Sequence, residues 1–151
     1  MNDNPVATEQ ITALLDQGEE SLLTTLGALL EPEFAQLPAE AALDKVYALL
    51  PEDQQALLRD KGAAYLRRQR HTLYERICTE WDYCGKRSQP QFGDAVTLVS
   101  WLIDTLTGVL LETPILVATV AVILVKVGLN QFCECEELEA RRRAAAEDEQ
   151  I

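Results

Sequence analysis

The sequence predicts an all-α protein: a single-domain helical bundle of about six helices with a C-terminal hydrophobic helical hairpin. Three observations lead to this prediction. Apolar residues recur at steps of three and four in the N-terminal half, glycine and proline interrupt that pattern, and two long apolar runs follow near the C-terminus. Steps of three and four are the period of an amphipathic helix. A chain of 151 residues can also bury a core without disulfide or metal staples.

Residues 1–83 are predicted to form an acidic, amphipathic helical region. From Thr8 to Leu30 the leucines follow the helical period, and Gly18 is expected to separate two short helices. Thr8 is the expected N-cap of the first helix, because its hydroxyl can accept a hydrogen bond from a free backbone N–H.

Two further helices are predicted before residue 84. Pro38 and Pro51 each suit the first turn of a helix and are followed by acidic residues, which stabilise a helix N-terminus. The first of these helices is predicted over residues 38–49. The second is predicted to begin at 51, to extend to about Trp81 and to be weakest at Gly62.

Charge is distributed unevenly along this chain of net charge -12. Residues 1–60 are strongly acidic, whereas residues 61–90 are net basic. Because opposite potentials across a packed pair are favourable, we expect the basic segment to face the acidic helices of the same chain. The stretch RRQRHTLYER, residues 67–76, has a composition that can contact nucleic acid, but the overall negative charge repels phosphate. A nucleic-acid partner is therefore not expected.

The C-terminal part divides into a loop, a hairpin and a tail. Residues 84–94 are rich in Gly, Pro, Ser and charge, which predicts a loop. The apolar runs 95–111 and 114–129 predict two antiparallel helices, a hydrophobic hairpin over residues 95–130. The β-branched residues of the second run leave a strand as the alternative there. Residues 131–151 predict a charged tail that continues as a helix.

Two interpretations of the hairpin are open. Either the amphipathic helices of the same chain wrap it in a soluble bundle, or it inserts into a membrane while residues 1–83 remain cytoplasmic. Asp104 and Lys126 oppose insertion, since a charge near the bilayer centre costs about 3 kcal/mol. In a bundle, a buried Asp104 needs a partner, for which Lys126 or an arginine of residues 67–76 is the candidate.

The hairpin is expected to carry the activity, because residues 95–129 hold the densest apolar surface of the chain. Such surface must be covered by the protein itself, by a partner or by lipid. The residues predicted to carry the interaction are Trp101, Asp104, Val120 and Lys126.

Four cysteines flank the apolar runs: Cys78, Cys84, Cys133 and Cys135. The start of the chain, MNDNPVATEQ, has no secretory signal, so we expect a cytoplasmic protein or one at the inner face of the cytoplasmic membrane. In that compartment the cysteines are expected to be buried thiols. A zinc site is the alternative, since a hairpin could bring the four thiolates together, although their spacing is irregular. No cofactor is otherwise expected.

No catalytic motif accompanies these features. His71 is the only histidine, and no nucleophile motif such as G-x-S-x-G is present. We therefore expect a small acidic non-enzymatic interaction or regulatory module that docks on a protein partner or self-associates. A membrane-associated effector or anchor that inserts residues 95–129 is the second interpretation, and a zinc-stabilised adaptor is the third.

Overall fold

A computed structural model of the chain describes residues 6–31 and 50–149. All regular secondary structure in these two ranges is helical, which confirms the all-α prediction. The strand alternative for the second apolar run is wrong, because that run is an α-helix. The helix predicted over residues 38–49 lies outside the described residues.

Six of the eight α-helices in the described ranges have eight residues or more. In chain order they are α1 (Thr8–Leu15), α2 (Glu19–Leu29), α3 (Glu52–Tyr74), α4 (Tyr83–Lys86), α5 (Ala95–Leu110), α6 (Pro114–Val127), α7 (Leu129–Phe132) and α8 (Cys135–Glu149). A π-helical segment, Glu75–Glu80, continues α3, and Pro90–Gly93 form a turn of 3-10 helix before α5. The loop predicted over 84–94 thus contains the end of α4 and this turn, separated by irregular residues.

Local signals set the helix boundaries much as predicted. Gly18 separates α1 from α2, and Pro51 directly precedes α3. The N-cap of α1 is Ala7 rather than Thr8. The Gln10 side chain explains the difference, because its Oε1 accepts a hydrogen bond of 3.0 Å from the Ala7 backbone N–H and so satisfies this helix end.

α2 and α3 pack against each other through two glycines. Gly27 and Gly62 lie where the two helices approach most closely, and both are buried. Gly62 was expected to weaken α3, yet the helix continues through it without interruption. The absence of a side chain there serves helix packing.

α6 is buried along most of its length, from Leu116 to Leu124. It packs against α1, α2 and α5, which cover its apolar surface. α5 buries one face and turns the other outwards, and it is joined to α6 by residues 111–113. None of the helices in the described ranges is both long and apolar enough to cross a bilayer.

The basic segment, residues 61–90, meets acidic residues of other parts of the chain at two places: in the first half of α3, and at Arg87, which lies 2.9 Å from Glu139 on α8. Arg59 lies 3.9 Å from Glu20 and Lys61 bonds to Glu31, both across the α2–α3 contact. Further along α3 the basic side chains are exposed, and those of Arg67 and Arg68 form no ion pair within the described part of the chain. Helix rotation turns these positions away from α2.

Candidate interaction site

Two disulfides join the segment after α3 to the segment after α6. Cys78 is bonded to Cys133 and Cys84 to Cys135, each with a Cα–Cα distance of 5.3 Å. The prediction of free thiols is therefore wrong, as is the zinc alternative, because sulfurs in disulfides offer no thiolate to a metal. The described ranges also contain no group of three or more His, Cys, Asp or Glu residues suited to a metal ion. The bridges join residues 55 and 51 positions apart, which spacing along the sequence does not reveal.

The bridges hold the segment 78–84 at both of its ends, and all four cysteines are buried. The π-helical turn ends within this segment, where the Trp81 backbone N–H donates to the Arg76 carbonyl at 3.0 Å. Asp82 then adopts a left-handed conformation with φ 54° and breaks the helix. Trp81 therefore lies between the end of the π-helical segment and the left-handed residue Asp82.

Trp81 begins a row of three aromatic rings that leads to the protein surface. Its ring centroid lies 5.5 Å from that of Phe92, and Phe92 lies 6.1 Å from Trp101. Both contacts are edge-on, with interplanar angles of 76° and 83°, the favourable arrangement for aromatic pairs. Trp81 and Phe92 are partly buried against the core, whereas Trp101 is 47% exposed. We call these three residues the aromatic row.

A cation already lies on the inner end of the aromatic row. The Lys86 ammonium is 5.8 Å from the centroid of the Trp81 ring. The same ammonium donates a hydrogen bond to the Trp81 backbone carbonyl. Among the aromatic residues, tryptophan attracts a cation to the face of its ring most strongly.

Carboxylates flank the outer end of the row. Asp94, Thr97, Trp101 and Asp104 follow one another at steps of three, four and three, which places them on one face of α5 and at its N-cap. Asp94, Trp101 and Asp104 are exposed. Asp94 accepts a hydrogen bond of 2.7 Å from the Thr97 hydroxyl. We call these four residues the α5 outer stripe.

The structure separates the four residues predicted to carry the interaction. Trp101 and Asp104 share the α5 outer stripe. Val120 is fully buried in the core, and Lys126 is exposed near the end of α6. The four residues therefore do not form one site: Trp101 and Asp104 are exposed together on α5, whereas Val120 lies in the core and Lys126 is exposed on α6.

The expectation that Asp104 is buried and ion-paired is wrong. Its side chain faces solvent, and no ion pair among the described residues includes it. Arg76, one arginine of the stretch expected to supply the partner, donates instead from Nε to the Thr105 carbonyl at 3.0 Å and from Nη1 to Glu80 at 2.8 Å. The bond to Thr105 attaches the π-helical segment to α5, the bond to Glu80 stays within that segment, and Arg76 forms no ion pair with Asp104.

Two members of the site were not predicted. Phe92 lies in the segment expected to be a loop, and Trp81 was named only as the approximate end of the long helix. The signal that could have indicated them is compositional, because both tryptophans and one of the three phenylalanines of the chain lie within residues 81–101. Clustered aromatic residues are typical of protein interfaces.

Two tyrosines have shifted acidities. Burial raises the pKa of Tyr83, which lies beside Trp81, and the nearby Arg87 guanidinium partly opposes this shift. In the core, burial raises the pKa of Tyr65 to about 12. The Glu112 carboxylate adds to that rise, and Arg68 opposes it. Neither tyrosine has the lowered pKa of an activated phenol.

The comparisons with known proteins are negative. No protein-family model, curated protein or solved structure matches this chain.

Proposed function

We propose that this protein is a small acidic, non-enzymatic interaction module that docks on a protein partner through a surface centred on Trp101. The observation that carries the proposal is the 47% exposure of Trp101 at the end of the aromatic row. Tryptophan is among the residues that contribute most to binding energy at protein interfaces. An indole that is half exposed and supported by other rings suits this role.

Rigidity of the surrounding frame supports the proposal. Two disulfides hold the segment that carries Trp81, and edge-on contacts connect Trp81 through Phe92 to Trp101. Binding at this surface costs little conformational entropy, because the side chains are already held by their neighbours.

We also propose that the described helices act as one bundle with α5 and α6 as its hydrophobic hairpin. Burial of α6 against α1, α2 and α5 supports this arrangement, in which α5 turns an exposed face outwards. Membrane insertion of the hairpin receives less support. The same contacts would have to open before lipid could reach α6, at the cost of the apolar burial they provide.

The two disulfides suggest in which kind of compartment the protein acts. Disulfides persist in oxidising environments and are rare in the cytoplasm. We therefore propose an oxidising compartment in place of the cytoplasmic location expected from the N-terminus. Alkylation of native-cell extracts followed by intact-mass measurement tests this: four unmodified cysteines are expected, and four alkylated cysteines would overturn it.

Comparison of two exposed positions tests the docking surface. Trp101→Ala removes the proposed anchor, and Leu57→Ala removes an exposed side chain on α3 as the matched control. Proteins recovered with the tagged wild type from native cells are purified and titrated individually against each variant. We expect a partner whose affinity falls at least tenfold with Trp101→Ala, about 1.4 kcal/mol, and is unchanged with Leu57→Ala.

The folded state of each variant is checked by circular dichroism, so that a loss of binding reports on the surface alone. The docking proposal is wrong if every partner confirmed by titration binds Trp101→Ala as tightly as it binds the wild type. It is equally wrong if no protein binds the wild type in such titrations.

A further inference from the structure

We infer that the partner presents a cationic segment, an arginine- or lysine-bearing stretch of protein chain, whose charged side chain stacks on Trp101 between Asp94 and Asp104. This inference rests on the proposed function, because it names the partner of the same surface. It follows from the spacing of the α5 outer stripe, from its unneutralised charge and from the cation already bound at Trp81.

Spacing on the helix places a carboxylate on each side of the indole. With a rise of about 1.5 Å per residue, Asp94 lies about 10 Å before Trp101 along the α5 axis and Asp104 about 4.5 Å after it. A guanidinium or ammonium lying on the indole face is therefore within reach of one carboxylate, and a second cation on the same segment can reach the other. An extended chain advances about 3.3 Å per residue, so the two cations would stand about four residues apart.

Charge on the stripe is not neutralised by the described part of the chain. Two arginines of the segments that precede α5 have other carboxylate partners: Arg76 bonds to Glu80, and Arg87 lies 2.9 Å from Glu139. Neither Asp94 nor Asp104 takes part in an ion pair within the described ranges. The net charge of -12 adds a long-range attraction for cations and repels phosphate, whether of nucleic acid or of lipid.

Lys86 shows the same recognition within the protein itself. Its ammonium lies over the Trp81 ring and hydrogen-bonds to the Trp81 carbonyl, so one cation satisfies an aromatic face and an oxygen acceptor together. At the outer end of the aromatic row, Trp101 offers the aromatic face and Asp104 the oxygen acceptor. A cation from a partner would complete this second position.

The test uses the full-length oxidised protein and synthetic peptides as probes. One octapeptide alternates glycine with arginine, and its control alternates glycine with citrulline, which keeps the shape and loses the charge. Binding is followed by NMR through the indole N–H signal of Trp101, assigned with Trp101→Phe. We expect the arginine peptide to shift this signal and to bind at least fivefold more tightly than the citrulline peptide, as one cation–π contact and ion pairing predict.

Variants separate local recognition from general charge attraction. Asp94→Asn and Asp104→Asn are each expected to lower the affinity for the arginine peptide two- to fivefold. Asparagine is also a good N-cap, so Asp94→Asn keeps the start of α5. Asp60→Asn, at an exposed position on α3, is the matched control and is expected to change affinity less than 1.5-fold, since it removes the same charge from a different helix.

Several results would overturn the inference. One is equal binding of the citrulline and arginine peptides; another is an equal loss of affinity with Asp60→Asn and Asp104→Asn. A third is a shift of the Trp101 signal by single-stranded DNA or anionic phospholipid vesicles and none by the arginine peptide. If a partner needs Trp101 but binds the Asp94→Asn and Asp104→Asn variants as tightly as the wild type, the inference of a cationic segment is wrong. The proposal that the protein is an interaction module that docks through Trp101 would then still hold.

Discussion

Gly27 on α2 and Gly62 on α3 lie against each other so closely that neither has room for a side chain. A Cβ placed on Gly27 would stand 3.1 Å from the backbone nitrogen of Gly62, and one on Gly62 would stand 3.0 Å from the nitrogen of Gly27. The nearest atoms are closer still, namely the Leu58 carbonyl oxygen at 1.8 Å and the Leu23 carbonyl oxygen at 2.2 Å. Because these are backbone atoms, relief requires the helices to move apart.

Alanine at either glycine is expected to destabilise the fold. Gly27→Ala or Gly62→Ala should lower the free energy of unfolding by about 2–3 kcal/mol, since an added methyl forces a backbone shift. Gly108→Ala is the control, because nothing lies within 4 Å of its Cβ position and alanine favours helix by up to about 1 kcal/mol. Urea unfolding measures all three, and a stabilising Gly27→Ala would contradict the close helix contact.

The two disulfides are expected to be partly redundant. Removing one bridge, by Cys84→Ala with Cys135→Ala, should cost about 2.5 kcal/mol, because the remaining bridge already holds the chain ends and leaves a loop of about ten residues to close. Removing both should cost about 7 kcal/mol, since the open loop then exceeds 50 residues. Urea unfolding of oxidised single-bridge and bridge-free variants tests the difference. Equal losses for both variants would contradict it.

Tyr65 is expected to make stability fall at high pH. Its pKa is about 12 in the folded protein and 10 in the unfolded chain. Between these values the folded state holds a proton that the unfolded chain has lost, so the free energy of unfolding decreases as pH rises. Tyr65→Phe should show a smaller decrease over that range, measured by urea unfolding at successive pH values.

The same variant is informative near neutral pH. The Tyr65 hydroxyl is buried and has no hydrogen-bond partner in the described part of the chain. Its removal should therefore leave stability unchanged or raise it by about 1 kcal/mol. A loss of more than 1 kcal/mol at pH 7 would indicate a partner for this hydroxyl.

Val120→Asp is expected to be severely destabilising. Val120 is fully buried in α6, so the new carboxylate enters a packed apolar core without a partner and should cost several kcal/mol. Val127→Asp is the control on the same helix, because Val127 is 46% exposed, and should cost at most about 1 kcal/mol. Thermal unfolding followed by circular dichroism measures both. Similar melting temperatures for the two variants would mean that Val120 is not in the core.

Leu111→Gly is expected to stabilise the protein slightly. Leu111 ends α5 with φ 54°, a left-handed conformation that costs a non-glycine residue about 1–2 kcal/mol, and its side chain is 84% exposed. Greater freedom of glycine in the unfolded chain offsets part of the gain, leaving about 0.5 kcal/mol. Leu57→Gly, within α3, should instead cost about 1 kcal/mol. Denaturant midpoints compare the two, and a destabilising Leu111→Gly would contradict the left-handed turn.

Prediction from the sequence succeeded where one stretch of chain decides the outcome. The break at Gly18, the start of α3 after Pro51 and the helical state of both apolar runs were all predicted and are confirmed. The end of the long helix was predicted near Trp81, and the π-helical continuation ends at Glu80. Caps, prolines and periodicity act over a few residues, so the sequence displays them directly.

The candidate site was predicted only in part. Trp101 and Asp104 were named, but Asp104 was expected to be buried and paired. Its apolar neighbours in sequence suggested a core position, whereas helix rotation places Leu102, Ile103 and Leu106 inside and Asp104 outside. Phe92 was missed, because its contacts with Trp81 and Trp101 depend on how a 3-10 turn folds back onto α5.

By itself, the sequence determined the helical class, most helix boundaries and the apolar character of α5 and α6, because these depend on backbone preference and local periodicity. Only the tertiary structure decided which face of α5 is exposed, which glycines meet and how Cys78 and Cys84 pair with Cys133 and Cys135. Those outcomes depend on contacts between residues tens of positions apart. Such contacts are chosen by how the helices pack together, and no local pattern records that choice.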